Sequence, residues 1–361
     1  MRFLSIKKIA KEAGVSTATV SRVLNNPGYK CSSEELRERI WKIARELNYM
    51  PNEAARNLKK GITDTSQKVW YLDVLMTRTG NLETDPFFSE LLRVIESEIH
   101  RQGCILMHIF HQPLFSNDRK CWTENIDKVI AQMEPDGDIR SDGLIIIGKC
   151  NDNVLKKLSA KYKSIVSVNR NSTNYLVDEV ICDGKRIAAL AVEYLIGLGH
   201  RKIGYVGDCH NESRYKGYQD TLFHYGIDMD ISYVIEAEHT EAEGYAVMER
   251  LIQRGDAPTA IYCANDMIAI GMLKCLNKYK NHYYVPSIIS SDDIEEAQYT
   301  KPMLTTVRLP KEEMGKFALY LLIDRLGGGH KGIVWTELEG KLMIRESCTL
   351  VENANRMEYY I

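Results

Sequence analysis

The apolar positions of residues 1–50 recur with the spacing of three short helices. The first predicted helix is capped by Ser5, and its apolar face consists of Ile6, Ile9, Ala10 and Ala13. Gly14 is expected to end this helix, because glycine adopts a positive φ at little cost. The third predicted helix is capped by Ser32 and Glu35 and packs through Leu36, Ile40, Ile43, Ala44 and Leu47. Residues 1–50 are therefore predicted to form a helix-turn-helix head.

The second predicted helix, Thr17–Leu24 with Ser16 as its N-cap, has a polar outer face. Its inward residues are Val20, Val23 and Leu24, and its outward residues are Thr17, Ala18, Ser21 and Arg22. A recognition helix that lies in a DNA major groove needs such a face. Two short helices in an ordinary bundle would show the same glycine turn. The short hydroxyl side chains, the arginine and the third helix favour DNA binding over that alternative.

From about Val69 the pattern changes to short apolar runs that alternate with helical stretches. The apolar runs predict strands at Val69–Met76, Cys104–Phe110, Leu144–Ile147, Ile165–Val168, Ile203–Val206, Ala260–Cys263 and Ser287–Ser290. Helices are predicted at Phe88–Arg101, Asp152–Lys161, Arg186–Leu198, Tyr215–Tyr225, Glu241–Arg254 and Met267–Tyr279. This alternation is typical of parallel, doubly wound sheets. The predicted fold class is therefore a helical head followed by an α/β body, in which two doubly wound units enclose a cleft.

Charge is distributed unevenly along the 361 residues. Residues 1–62 contain 13 Lys+Arg and 6 Asp+Glu, although the whole chain has a formal net charge of −2. A basic head on an acidic body predicts nucleic acid as the partner of the head. The nine cysteines are scattered singly, as is typical of reduced thiols, and no apolar run approaches the roughly 20 residues that span a bilayer. We expect a cytoplasmic protein that does not insert into a membrane.

A short predicted helix at Pro51–Gly61 connects the head to the body. Pro51 suits the first turn of a helix, and Gly61 suits its end. Isolated helices below about 12–15 residues are marginal, so we expect this one to become ordered on a partner. The alternative is a plain linker, which is the prediction for the polar segment Gly61–Lys68.

Ser5–Asn26, followed by the Pro-Asn-x-x-Ala-Arg-x-Leu run at Pro51–Leu58, resembles the LacI/GalR family of sugar-responsive bacterial repressors. In that family the short helix is a hinge, and two hinges bind the minor groove at the operator centre. The resemblance implies that Leu58 wedges into the central base step, with Asn52, Ala55 and Arg56 on the groove side. It also implies that Thr17, Ala18 and Arg22 contact base edges, and that Ser16, Thr19, Ser21 and Asn25 contact phosphates.

The resemblance continues through the body in four blocks, Ile203–Gly207, Ser213–Tyr218, Ala264–Gly271 and Leu304–Arg308. It implies a periplasmic-binding-protein-like body in which the chain crosses three times between two subdomains. We expect a hinge and linker at 51–68 and an effector-binding and dimerisation domain at 69–361. The first subdomain is expected at about 69–168 with 310–326, and the second at 169–308 with 327–350.

Candidate effector ligands are found where strands of the body are expected to end. Arg214 opens a helix after the strand Ile203–Val206, at the edge where open α/β sheets bind ligands, and its guanidinium can donate to sugar hydroxyls. Without the resemblance, a surface arginine would be an equal interpretation. Asn265 and Asp292 end two further strands and are expected to contact the ligand. Asp266 is expected to be the N-cap of the helix that follows it.

In the first half of the body, Asp85-Pro86-Phe87-Phe88 begins a helix at the equivalent edge. Two interpretations of Asp85, Phe87 and Phe88 stay open. They form a helix cap with a hydrophobic staple, or a phenylalanine stacks on a sugar ring. Asp73, Asn169 and Ser291 depart from the family pattern near the expected cleft rim, which leaves the identity of the effector open.

The sequence contains little that predicts an enzyme. No Gly-x-Ser-x-Gly motif occurs, and Gly327–Lys331 has the wrong spacing for a phosphate-binding loop. His108 and His111 would point to opposite faces of a strand, so they are not expected to bind a metal. We expect no catalytic residue, no metal and no cofactor. A kinase or hydrolase built on a similar sheet is the alternative, and it would turn over a sugar.

The predicted function is repression of carbohydrate-utilisation genes by a homodimer, or a tetramer, bound to a pseudo-palindromic double-stranded DNA operator. One head reads few base pairs, whereas two heads related by a twofold axis reach half-sites about 34–36 Å apart. The effector is expected to be a mono- or disaccharide that alters operator affinity. The alternatives are a non-sugar effector such as a purine, and a corepressor that tightens binding.

Overall fold

The computed structural model describes residues 6–25, 33–46, 69–78, 85–133, 140–210, 212–279 and 284–352. Contacts divide the chain into two compact units, Met1–Lys68 and Val69–Ile361, which we call the head and the body. Ser5, Ser32, Asn52, Ala55, Arg56 and Leu58 lie outside the described residues. The side chains of Ala18, Ser21 and Asn25 are also outside the description, although these residues belong to a helix.

The head contains three helices, α1 (Ile6–Ala13), α2 (Thr17–Asn25) and α3 (Glu34–Glu46). Their common core consists of Ile9, Ala10, Ala13, Val20, Val23 and Ile40. Gly14 has a φ of +69°, which confirms the predicted helix end. The Ser16 hydroxyl accepts a hydrogen bond from the Thr19 backbone N–H at 3.1 Å, which confirms the predicted cap of α2.

The predicted cap of α3 is wrong by one residue. The Ser33 hydroxyl accepts the Leu36 backbone N–H at 3.2 Å, so Ser33 occupies the N-cap position. The helix starts at Glu34, so Ser33 is the residue that precedes the first turn. The sequence offers two adjacent serines, and hydrophobic spacing alone does not distinguish their cap positions.

Two six-stranded sheets form the body. The strands of the first sheet lie in the order β11-β5-β4-β3-β1-β2, and those of the second in the order β12-β10-β9-β8-β6-β7. In sequence order they are β1 (Tyr71–Met76), β2 (Ile105–His111), β3 (Gly143–Ile147), β4 (Ser164–Asn169), β5 (Asp178–Ile181), β6 (Ile203–Gly207), β7 (Val234–Glu236), β8 (Ala260–Cys263), β9 (Ser287–Asp292), β10 (Thr305–Arg308), β11 (Trp335–Glu337) and β12 (Lys341–Met343). Every described pairing is parallel except that of β12 with β10.

Helices follow most of the strands, as expected for doubly wound units. They are α4 (Pro86–Arg101), α5 (Asp118–Thr123), α6 (Ile126–Ala131), α7 (Asp152–Lys161), α8 (Gly184–Gly197), α9 (Ser213–His224), α10 (Glu241–Ile252), α11 (Asp266–Lys278) and α12 (Lys311–Leu326). The helix α12 packs on α4 and on strands of the first sheet, as the resemblance implies. The helices α10 and α11 approach so closely that a Cβ on Gly244 would lie 2.0 Å from the Ile268 carbonyl oxygen, and one on Gly271 would lie 2.0 Å from that of Glu241.

The expected limits of the two subdomains need correction. The strand β5 lies beyond 168, yet it pairs with β4 and belongs to the first sheet. The resemblance implies that both C-terminal strands belong to the second subdomain, but β11 pairs with β5 in the first sheet, and only β12 joins the second. The chain therefore crosses after β5, after β10, and between β11 and β12. The short strands β5 and β11 contain too few residues for their alternation to identify the sheet they join.

Asp73, which interrupts the apolar pattern of β1, is a buried structural residue. Its carboxylate accepts a hydrogen bond from the Tyr162 hydroxyl at 2.8 Å and contacts His108 Nδ1 at 3.0 Å. It lies three residues before the carboxyl end of β1 and so away from the rim where the sequence placed it. Buried polar groups need such partners, which explains an acidic residue inside an otherwise apolar strand.

Eight cysteines lie among the described residues, and all eight are free thiols. Within the same residues, no helix combines the length and the apolar character that crossing a bilayer requires.

Candidate effector cleft and DNA-reading head

The carboxyl ends of β4 and β9 are joined across the body by a buried ion pair. Arg170 follows β4, and its Nη1 lies 2.5 Å from Oδ1 of Asp292, the last residue of β9. Burial raises the pKa of Asp292 to about 6 and lowers the pKa of Arg170, although each group is the other's partner. Because β4 and β9 belong to different sheets, this pair connects the two subdomains at the predicted ligand edge.

The backbone at Asp292 is strained. Asp292 has a φ of 123° and Asp293 has a φ of 50°, in the region that non-glycine residues rarely occupy. Each such residue costs of the order of 1–3 kcal/mol, and strain of this kind is concentrated at functional sites. Asp293 itself is held by Arg308 and Arg345, both at 2.5 Å, so its carboxylate has a structural role.

Arg214 lies where the sequence placed it, in the first turn of α9, but two of its three guanidinium nitrogens are already engaged. Its Nε is 2.9 Å from Oε1 of Glu212, and its Nη1 donates to the Ala264 carbonyl. Both side chains of this ion pair are 2–3% exposed. Burial acts to raise the pKa of Glu212, but the charge and hydrogen bond of Arg214 outweigh it and lower that pKa well below its usual range. Arg214 also acts electrostatically on Asp292, so the two predicted residues share one site.

The cap assignment at the end of β8 is wrong. Asn265, and not Asp266, is the N-cap of α11, and its Oδ1 accepts the Ile268 N–H at 3.1 Å. The Asn265 amide donates to the His239 carbonyl at 3.3 Å. Asp266 is the first helical residue and accepts hydrogen bonds from the Ser290 and Thr306 hydroxyls at 2.5 and 2.6 Å. The sequence offers two adjacent cap residues, and the structure selects the first.

The segment Asp85–Phe88 forms the predicted cap. The Asp85 carboxylate accepts the Phe88 N–H at 3.3 Å, and Pro86 starts α4. Phe87 and Phe88 are buried with their ring centroids 5.2 Å apart. The Arg170 guanidinium lies 4.5 Å from the Phe87 centroid, in cation–π range, so it covers a face of that ring. The charge of Asp85 acts on both Arg170 and Asp292, which brings this segment into the same site.

Two residues that sequence reasoning missed form a second contact between the sheets. Arg78 follows β1 in the first sheet, and His239 follows β7 in the second. Arg78 Nη2 lies 2.5 Å from His239 Nδ1. Glu212 and Arg170, which take part in the two ion pairs, were also not selected. Their positions in the sequence could have identified these four residues, because all four follow the carboxyl ends of strands.

A cavity of about 640 Å³ lies beside this cleft, at the start of α12. None of the six predicted effector residues lines it. Its lining is strongly charged and consists of Glu90, Arg93, Val94, Asp293, Arg308, Leu309, Pro310, Lys311, Glu312, Glu313, Glu339 and Lys341. Within it, Lys311 pairs with Glu90, and Arg308 pairs with Asp293.

The outer face of α2 agrees with a role in recognition as far as it is described. Ser16, Thr17 and Arg22 are exposed and Thr19 is half-buried, while Val20 and Val23 are in the core. In the part of the chain that the structure describes, no group of three or more His, Cys, Asp or Glu side chains is arranged to hold a metal ion.

Two families match the chain. Residues 5–52 match the bacterial regulatory proteins of the lacI family, and residues 192–348 match a periplasmic binding protein-like domain. Solved structures share the fold over both units. The transcriptional regulator CelR–cellobiose complex has a TM-score of 0.65 at 23% identity, covering 96% of this chain and 100% of that one. The lac repressor dimer bound to operator and the anti-inducer ONPF has a TM-score of 0.63 at 22% identity, with the same coverage.

Curated relatives match over nearly the whole length. The HTH-type transcriptional repressor MelR of Bacillus subtilis (strain 168) is 31% identical over 357 residues, which are 95% of this chain and 97% of the relative. The HTH-type transcriptional repressor PurR of Mannheimia succiniciproducens is 29% identical over 95% of this chain and 98% of the relative. Both are repressors and neither is an enzyme, which confirms the prediction of a non-catalytic regulator. With a lacI-type head and a periplasmic-binding-like body, the chain belongs to the lacI family of bacterial regulatory proteins.

Proposed function

We propose that this repressor binds a pseudo-palindromic operator as a homodimer, and that a small carbohydrate bound between the two sheets alters its operator affinity. The observation that carries the proposal is the pair of contacts between the sheets. Arg170–Asp292 and Arg78–His239 both connect carboxyl ends of strands in different subdomains. A ligand that enters here must engage or replace these contacts, so it changes how the subdomains close.

In this proposal the head reads DNA through the outer face of α2. Thr17, Ala18 and Arg22 contact base edges, and Ser16, Thr19, Ser21 and Asn25 contact phosphates. The exposure of Ser16, Thr17 and Arg22 supports this assignment. Leu58 is the minor-groove wedge of the hinge, with Asn52, Ala55 and Arg56 beside it. Two heads are needed for two half-sites, and the lac repressor, which shares the fold, was solved as a dimer on its operator.

The effector would bind among polar groups that converge from both sheets. Asp85, Arg214, Asn265 and Asp292 are the predicted ligands, with Phe87 and Phe88 as the apolar floor. Solved proteins of the same fold hold cellobiose and ribose, which supports a carbohydrate as the class of ligand. Arg170 already covers a face of Phe87, so stacking of a sugar on that ring requires Arg170 to move.

Regulation follows from differential binding to the open and closed body. A sugar that prefers one state shifts operator affinity by the coupling free energy between the two sites, typically about 1–3 kcal/mol, or roughly 5- to 150-fold. Induction corresponds to weaker operator binding with sugar, and corepression to tighter binding. Both signs use the same cleft, and the assay below measures which one applies.

The test is fluorescence anisotropy of the full-length protein with DNA fragments from upstream of its own gene and neighbouring genes. We expect specific binding with a steep dependence on salt, because phosphate contacts release counterions. At least one mono- or disaccharide should then change the operator dissociation constant by fivefold or more. Binding to all fragments alike would contradict the repressor assignment of the head, and operator affinity that no sugar changes would contradict the carbohydrate effector.

A further inference from the structure

The contact between Arg78 and His239 fixes the chemistry of the imidazole. A guanidinium has only donors, so His239 Nδ1 must accept the hydrogen bond from Arg78 Nη2 at 2.5 Å. Burial, together with the charges of Arg78 and Arg214, lowers the pKa of His239 well below its usual value, so the ring is neutral. The single ring proton of a neutral imidazole with an accepting Nδ1 lies on Nε2.

Among the described residues, this Nε2–H is a buried donor without an acceptor. Within the described part of the chain, His239 Nε2 is buried and no hydrogen-bond partner lies near it. Leaving a buried donor unpaired is unfavourable, so such an atom in a folded protein calls for an explanation. The His239 main chain is fixed by the Asn265 amide, which donates to the His239 carbonyl at 3.3 Å. The ring is therefore held on a loop that is anchored to the N-cap of α11.

Charged groups of both signs act on His239. The guanidinium groups of Arg78, Arg170 and Arg214 lower its pKa, whereas the Glu212 carboxylate acts to raise it. Arg170 is paired with Asp292, and Arg214 is paired with Glu212. Arg78 forms no ion pair with any carboxylate of the described residues, and its one hydrogen-bonding partner there is the neutral His239 ring. In the described part of the chain, a guanidinium with unused donors thus holds one side of an imidazole whose N–H, on the other side, has no acceptor.

We propose that the effector carries an anionic group, a carboxylate or a phosphate, which binds at Nε2 of His239, on the side of the ring away from Arg78. This inference rests on the proposed function, since it assumes that the effector enters the same cleft. An anionic oxygen accepts from Nε2–H, while Arg78 keeps its hydrogen bond to Nδ1 on the other side of the ring and attracts the negative charge. A neutral hydroxyl satisfies the imidazole N–H but gains no electrostatic attraction from Arg78. Charge-assisted hydrogen bonds are roughly twice as strong as neutral ones, so the site selects acidic sugars over their neutral parents.

The first test detects the anion site without knowledge of the sugar. The melting temperature of the full-length protein is measured with inorganic phosphate and with acetate, against sodium chloride at the same ionic strength. We expect one of these anions to raise the melting temperature of the natural protein and to lose most of that effect in Arg78→Met. The control is Arg250→Met, which removes an exposed guanidinium on α10 and should respond like the natural protein. Equal shifts in all three proteins, or no shift in any, overturn the proposal.

The second test uses sugars that differ only in their acidic group. Calorimetry compares D-glucose with D-glucuronate and D-glucose 6-phosphate, and D-galactose with D-galacturonate and D-galactose 6-phosphate. At least one acidic sugar should bind about tenfold or more tightly than its neutral parent, and the better of the two acids identifies carboxylate or phosphate as the group. Arg78→Met should remove the preference. His239→Gln, which keeps an N–H donor, should retain more of it than His239→Phe. Binding of a neutral parent as tight as that of its acids, or no measurable binding of any acid, overturns the proposal.

Arg93→Met separates this site from the neighbouring 640 Å³ cavity, which Arg93 lines. If the acidic preference disappears in Arg93→Met and persists in Arg78→Met, the anion binds in the cavity and the proposal is wrong. Operator affinity is measured on the same samples by anisotropy. A protein that binds its operator and shows no acidic preference contradicts this inference alone, whereas one that binds no operator contradicts the proposed function.

Discussion

The buried pair of Arg214 and Glu212 gives the sharpest test of the cleft. Replacing Arg214 by methionine keeps most of the side-chain volume but removes the guanidinium. Glu212 is then left with a charge that is 3% exposed and has lost its partner at 2.9 Å. The Ala264 carbonyl also loses a donor. The substitution is therefore expected to lower the stability of the folded body, whether or not a ligand is bound.

Its magnitude follows from the burial of both groups. Removing one partner of a buried ion pair costs about 3–5 kcal/mol, because the remaining charge is uncompensated. The melting temperature should fall by on the order of 10 °C. In the double variant Arg214→Met/Glu212→Gln no charge is left, and we expect at least half of the loss to be recovered. Glu212→Gln keeps the oxygen that caps α9.

The assay is thermal and urea unfolding of the four proteins of this double-mutant cycle, followed by circular dichroism at pH 5 and pH 8. In the natural protein the pKa of Glu212 is lowered, so its contribution is present above its ordinary value of 4.5 and is lost only as the pH falls through the lower folded value. Without Arg214, burial raises that pKa instead. The penalty of Arg214→Met should therefore be smaller at pH 5, where Glu212 can take up a proton, than at pH 8.

An Arg214→Met variant that loses less than about 1 kcal/mol, equally at both pH values and independently of Glu212→Gln, would refute this reasoning. If the loss is as large as expected, a missing sugar response in Arg214 variants has to be corrected for unfolding. The double variant supplies that correction, because it lacks the guanidinium but also lacks the uncompensated charge.

Three further predictions concern the hinge, the helix packing and the loop between α12 and β11. Leu58→Ala should weaken specific operator binding by about 1–3 kcal/mol with little change in non-specific binding, as measured by anisotropy; equal loss of both would exclude a wedge. Gly271→Ala should destabilise the body by about 3 kcal/mol or more in urea unfolding, because the new Cβ meets a backbone oxygen. The control Gly197→Ala, whose Cβ would have no atom within 4 Å, should change stability by less than about 1 kcal/mol. Asp324 and Asp178 raise the pKa of His330 in the folded protein. The difference in unfolding free energy between the natural protein and His330→Gln should therefore be largest below pH 6.5 and should shrink as the pH rises through the raised pKa. A difference that is constant with pH would contradict this.

Hydrophobic spacing predicted the long elements of this protein well. The core of the head at Ile9, Val20 and Ile40 follows from the period of its helices, and Ser16 follows from local cap chemistry. These features depend on neighbours within a few residues of each other. The resemblance then supplied the order of the body, including the return of α12 to the first sheet.

Contacts between distant segments were not predictable in the same way. The choice between Asn265 and Asp266 as the cap depends on the Ser290 and Thr306 hydroxyls, which attract Asp266 from two other strands. The sequence does not indicate that Arg170 forms an ion pair, because its partner Asp292 is 122 positions away. No local pattern encodes such a pairing, although both residues end strands at the same edge.

The third crossing has a mechanical consequence. Only residues 338–340 separate the end of β11 in one sheet from the start of β12 in the other. Four fully extended residue steps reach about 14 Å, so this segment limits how far apart the two sheets can lie at this point. The two sheets can rotate relative to each other about this segment but cannot move apart there. A ligand bound between them therefore changes their relative rotation. Lengthening residues 338–340 with a flexible insert should preserve sugar binding but abolish the effect of the sugar on operator affinity.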